Sequence, residues 1–155
     1  MIYVFDSSAL IALFRHFYPS RFPTLWGKFE ESVESQQIVT VREVFREVGD
    51  QDDPLADWAK THRRFFHISS PEELAFVAQI FRVPHFQALV RKQERLQGKP
   101  VADPFVIAKA KVIQGCVVME EANKPNAARI PNVCAHFKIE CLRLEGFMEK
   151  ENWIF

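Results

Sequence analysis

The run Ile2-Tyr3-Val4-Phe5, closed by Asp6 and followed by Ser7-Ser8, constrains this chain more than any other stretch. A short, continuously apolar run rich in β-formers reads as a strand buried on both faces, which places it in the middle of a parallel sheet. Ser7 and Ser8 stand before Ala9-Leu10-Ile11-Ala12-Leu13-Phe14, so a helix is expected to follow at once, with Ser8 as its cap. In open parallel sheets ligands bind beyond the carboxyl ends of the strands, and Asp6 occupies that position.

The remaining chain alternates in the same way. Leu25, Trp26, Phe29 and Val33 recur at helical spacing between Phe22 and Ser35, and Val41, Val44, Phe45 and Val48 repeat the pattern before Gly49. An acidic turn around Pro54 leads into a helix with Leu55, Trp58 and Ala59, and Phe65–Ile68 reads as a second strand. Ser70-Pro71-Glu72-Glu73 is a capping box ahead of Leu74, Phe76, Val77 and Ile80. Phe86–Gln97 forms a two-faced helix stopped by Gly98, and Asp103-Pro104 opens another that runs to Gly115, with Asp103 as the expected cap. Cys116–Met119 is a third strand, and Ile139–Leu142 a fourth after a short helix over Val133–Phe137. Strands separated by helices predict an α/β fold, a three-layer α/β/α sandwich with a mostly parallel central sheet, as a single domain over 1–155.

Composition narrows the function classes. Twenty Lys and Arg balance 20 Asp and Glu in 155 residues, and 48% hydrophobic content excludes disorder and supports a real core. Cys116, Cys134 and Cys141 form no CxxC and are odd in number, which points to a reducing cytoplasm. The five histidines show no HExxH, so the pattern lends a zinc site little support. No basic leader precedes the first apolar run and no 18 apolar residues are consecutive, so neither secretion nor a membrane span is expected.

Acids converge on one edge of this expected sheet. A helix over Pro104–Gln114 descends roughly 16 Å at about 1.5 Å per residue, and the strand from Cys116 to Glu120 climbs back about as far. Asp103 and the pair Glu120, Glu121 therefore finish at the level of Asp6. Glu43 and Glu47 sit one turn apart on a short helix, where like charges cost about 0.2–0.5 kcal/mol unless something compensates. A divalent cation would, since hard ions such as Mg²⁺ take oxygen ligands and keep several waters. Each acid also has a plainer role: Asp103 as a cap, Glu43 and Glu47 as a solvated face paired with Arg42 and Arg46, Glu120 and Glu121 as a strand end, Asp6 as a partner of helix amides.

These residues resemble the PIN domain, a metal-dependent nuclease fold found in toxins of bacterial toxin-antitoxin pairs and in RNA-processing enzymes. The resemblance rests on Val4-Phe5-Asp6-Ser7-Ser8, on Glu43 some forty residues later, and most specifically on Ala102-Asp103-Pro104-Phe105-Val106-Ile107-Ala108-Lys109-Ala110. At the family's fourth position, where a Thr or Ser precedes Asp or Asn by two, this chain has Met119 and Glu121. The long tail through Lys124-Pro125-Asn126 and Ile130-Pro131-Asn132 is similar to a largely uncharacterised bacterial PIN-like subfamily. The resemblance implies Mg²⁺ or Mn²⁺ held by Asp6, Glu43 and Asp103, with Glu121 assisting a second ion or orienting the nucleophile, and Ser8 stiffening Asp6. It implies RNA as substrate, a homodimer and an antitoxin partner. Neutral net charge suits nucleic acid poorly, but Arg91, Lys92, Arg95 and Lys99 form a cationic stripe leading toward Asp103, which Arg63 and Arg64 extend.

Two rivals stand beside this reading. A haloacid-dehalogenase-type phosphatase needs a second Asp two residues after the first, where Ser8 stands. A PIN-like module that has lost catalysis and acts through a protein partner shares every fold-level feature, because fold does not fix function.

Overall fold

The structure is a computed structural model that describes residues 1–89 and 101–155. The chain runs β1 (Tyr3–Phe5), α1 (Ser7–His16), α2 (Pro23–Glu34), β2 (Ile38–Val41), α3 (Arg42–Val48), α4 (Pro54–Thr61), β3 (Phe66–His67), α5 (Pro71–Phe81), α6 (Asp103–Ile113), β4 (Cys116–Met119), α7 (Ile130–Phe137), β5 (Glu140–Arg143) and α8 (Leu144–Lys150). Short 3-10 turns occupy Arg63–Phe65 and Pro84–Gln87. Of the helix read over Phe86–Gln97, only its first residues are described. Arg91, Lys92, Arg95 and Lys99 lie outside the described residues.

The sheet is wholly parallel, in the order β3-β2-β1-β4-β5. The first strand is central, with Tyr3 opposite both Ile38 and Cys116 and Val4 opposite both Val39 and Val117. All three of its residues are buried, the reason its sequence does not alternate. Successive side chains nevertheless point to opposite faces. Tyr3 and Phe5 meet Phe147 of α8 edge-on, and Phe5 also meets Phe29 of α2. Helix α6 packs across β1, β2 and β4 and is backed by α5 and α7. The outcome is the expected α/β sandwich of a parallel sheet between helical layers. Among the described residues no helix is long and apolar enough to cross a membrane.

Five local readings need correction. Ile38-Val39-Thr40-Val41 is a buried fifth strand, although Val41 reads as the first apolar position of a helix. Gln36, at a left-handed φ of 61°, ends α2, and three β-branched residues and a fourth then enter the sheet together. The cap of α1 is Asp6 rather than Ser8, and the cap of α6 is Ala102, which leaves Asp103 as the first helical residue. Helix α7 begins at Ile130, three residues before the expected start, because Pro131 sits in its first turn, where proline is welcome. Helix α8 is absent from the sequence reading: only Leu144 and Phe147 of its seven residues are buried, too few for a period to show.

The return from α6 into β4 depends on one glycine. A Cβ on Gly115 would lie 2.5 Å from the Ile2 carbonyl oxygen, so only glycine lets β4 start beside the chain's first residues.

Candidate metal centre

Register puts the candidate acids at one edge. Asp6 follows β1 and its amide donates to the Val118 carbonyl at 2.9 Å, so it stands level with the end of β4. This is the switch point between β1 and β4, where the chain turns from one half of the sheet to the other. Asp6 is 2% exposed. Its Oδ2 accepts from the Ser8 amide at 3.2 Å and the Ser8 hydroxyl at 2.7 Å, while its buried Oδ1 has no hydrogen-bond partner. Ser8 Oγ also accepts from the Glu120 amide at 3.0 Å, which ties β4's end to the Asp6 carboxylate through one hydroxyl. Thr40, from the neighbouring strand, donates its hydroxyl to the Phe5 carbonyl just before Asp6.

Asp103, 4% exposed in the first turn of α6, acts on Asp6 through its charge. Glu47 links the two segments: one of its oxygens accepts from Ser7 Oγ at 2.8 Å and the other from the Ala102 amide at 2.7 Å. The residues just after Asp6 and just before Asp103 are thus held by one carboxylate. Glu43 lies one turn earlier on the same face of α3 and is 3% exposed, which removes the solvated-face reading. Its Oε2 is 3.6 Å from Arg42 Nε, and its buried Oε1 has no hydrogen-bond partner. Sequence spacing left Glu43 and Glu47 as alternatives; on one helix face, Glu47 accepts from Ser7 and Ala102 while Glu43 is buried beside Arg42.

Glu120 and Glu121 are held at helix starts. Glu120 accepts from the Leu144 amide at 2.7 Å and from Arg143 at 2.9 Å, at the beginning of α8. The Glu121 carboxylate accepts from the Ile130 amide at 3.3 Å, at the beginning of α7, while its own amide meets Met119 Sδ. The acids acting most on Asp6 are Asp103 and Glu47.

Electrostatically the centre is under tension. Burial first, then the Asp103 charge, pushes the Asp6 carboxyl up from 3.8 to about 7, with Glu47 adding to the rise and the Ser8 hydrogen bonds opposing it. Among the described residues no three His, Cys, Asp or Glu side chains are gathered tightly enough to share an ion as they stand. The donor set nonetheless suits a hard divalent cation: all oxygen, two of the oxygens buried without hydrogen-bond partners, and Asp6 and Asp103 both buried and coupled through charge. The cysteines offer no competing chemistry. All are thiols; burial pushes Cys116 up to about 12, and a hydrogen bond with Cys141, with burial second, raises Cys134.

A family model described as "Domain of unknown function (DUF4411)" matches residues 3–155. Comparison with curated proteins finds no match. Among solved structures, VapBC2 from Rickettsia felis bound to a DNA fragment from their promoter is 12% identical, covering 82% of this chain and 96% of that one, with a TM-score of 0.46.

Proposed function

The chain belongs to the DUF4411 family, and we propose that within it this protein is a PIN-like, Mg²⁺- or Mn²⁺-dependent endoribonuclease, the toxin of a toxin-antitoxin pair. The observation that supports the reading is that Asp6, at the switch point of a parallel sheet, and Asp103 are both buried and act on each other through their charges. Burying two carboxylates together is unfavourable without a proton or a cation, and such sites are where function concentrates. Asp6, Asp103 and Glu43 would hold the metal, with Glu121, whose Oε2 accepts from the Ile130 amide, assisting a second ion or orienting the nucleophile. A divalent ion there supplies an acidified water and charge neutralisation at the phosphoryl oxygen. The chain's own residues do the positioning. Ser8 fixes Asp6 Oδ2, and Glu47 sets the spacing between Ser7 and Ala102. Arg91, Lys92, Arg95 and Lys99 are assigned to the RNA backbone. The same reading includes a single domain over 1–155, a homodimer, an antitoxin partner and a cytoplasmic location.

One observation favours a second reading, a PIN-like binding module with weak or no catalysis. Met119 stands where PIN domains usually carry a hydroxyl, and Glu120 and Glu121 both serve helix starts. Purified, partner-free protein incubated with total cellular RNA and Mg²⁺ or Mn²⁺ separates the two. Cleavage abolished by EDTA and by Asp103→Ala is the expected result. Intact RNA under every metal, with the fold verified by circular dichroism, selects the binding module.

A further inference from the structure

A second charged feature lies at the opposite end of β2. Between the end of α2, the start of β2 and the turn before β3 is a cavity of about 500 Å³, lined among others by Lys60, His62, Arg63, Arg64, His67 and Glu34. In a chain with as many acids as bases, the stretch Lys60-Thr61-His62-Arg63-Arg64-Phe65-Phe66-His67 holds three fixed cations and no acid. The fold concentrates them. Helix α4 ends at Thr61, the His62 amide closes onto the Ala59 carbonyl and the Phe65 amide onto the His62 carbonyl, so the cations project from one tight turn.

Among the described residues, the cations here are not taken up by the carboxylates of the fold. Arg42, Lys109, Arg143 and Lys150 each meet a carboxylate, whereas among the described residues none of the ion pairs includes Lys60, Arg63 or Arg64. All three are exposed. Glu30, a nearby acid, is engaged by Trp58 Nε1 at 2.7 Å and by His62 Nε2 at 3.1 Å. Arg63 lies over the Phe45 ring at 4.5 Å, which steadies its planar fork of donors. His62 is stacked on Trp58 at 4.2 Å, a rigid aromatic wall beside the cations. Burial and the Lys109 charge hold His67 below its ordinary range, so it offers a neutral ring with both a donor and an acceptor.

We propose that this cleft binds the phosphates of a single-stranded RNA, as a docking site separate from the acid centre at the other end of the same strand. The inference rests on the ribonuclease reading for its choice of polyanion. Arginine forks match phosphate geometry, and flanking rings suit bases better than they suit an acidic peptide. The cleft runs from Ile38 and Val39 to His67, which stands opposite Val41, and the acids follow Val41, so its far side lies roughly 10–13 Å from them, within reach of one bound oligonucleotide.

The test is fluorescence anisotropy of labelled polyuridine with the full chain in EDTA across a salt series, comparing wild type with a Lys60→Glu/Arg64→Glu variant. The expected result is at least about tenfold weaker binding and a salt slope shallower by about 1.4, two contacts at about 0.7 each. Unchanged affinity and slope in a variant that melts like wild type overturns the proposal, as does a wild type that binds no RNA. Retention of polyglutamate in preference to RNA overturns it in favour of an acidic protein segment. Cleavage in Mg²⁺ separates this from the activity. A protein that binds through the cleft but never cleaves sinks the ribonuclease and keeps the docking site, while cleavage with KM untouched by the charge reversal does the opposite.

Discussion

Glu73 and Asp6 are buried to a similar degree, 4% and 2% exposed, yet the chain treats them in opposite ways. Glu73 faces Lys109 Nζ at 3.5 Å between α5 and α6, and its other oxygen accepts from the Ser70 amide at 3.1 Å in a capping box. Asp6, by contrast, feels the charge of another buried acid, Asp103. A buried carboxylate opposite an ammonium is part of the scaffold, because each charge offsets the desolvation of the other. A carboxylate buried beside a second one weakens the scaffold and invites a proton or a cation. The difference separates a structural ion pair from a candidate site more sharply than burial does.

That contrast can be broken by mutation. Lys109→Met leaves Glu73 as an uncompensated buried charge and is expected to cost about 3–5 kcal/mol, read as a lower urea midpoint. A loss under 1 kcal/mol would show that the Glu73–Lys109 pair contributes little to the scaffold. Next comes Glu47→Ala, which strands the Ala102 amide and the Ser7 hydroxyl from their charged acceptor. It should lower stability by about 1.5–3 kcal/mol in EDTA. If Glu47 matters only for its charge on Asp6, the same variant will instead melt higher.

Asp6 itself supplies a pH test. Its carboxyl is pushed up to about 7 in the folded chain from 3.8. Between those values the folded state holds a proton that the unfolded state has released, so stability is full below about pH 4 and falls as pH rises toward 7. The decline is at most about 1.4 kcal/mol per pH unit. Asp6→Asn keeps an acceptor for Ser8 but cannot ionise. In EDTA it should flatten the decline and outlast wild type at pH 8, and parallel urea midpoints for the two across that range would sink the argument. With Mg²⁺ present, wild type should gain stability that Asp6→Asn does not. The smallest effect is Ser70→Ala, which opens the capping box while sparing Lys109, at about 1 kcal/mol. A cost equal to that of Lys109→Met would mean that the cap and the ion pair act as one unit.

Much of this was legible in residue order. The buried first strand, the capping box at Ser70 and the helix opened by Asp103-Pro104 follow from local chemistry and appear in the structure. Ile38–Val41 was not separated from the helix behind it, because Val41 serves as both the last strand residue and the cap of α3. The level arithmetic for Asp6 and Glu120 agrees with their shared hydroxyl on Ser8. Spacing could not show that Glu120 and Glu121 turn to helix starts, since those helices lie up to 24 residues further along.

Sequence alone determined that apolar strands alternate with helices, and that acids stand where strands end, because periodicity and capping are properties of neighbouring residues. Tertiary structure alone decided which acids face each other. Burial and charge coupling depend on distances across the sheet, and it took the parallel register of β1 and β4 and the Glu47 bridge to bring Asp6 and Asp103 together.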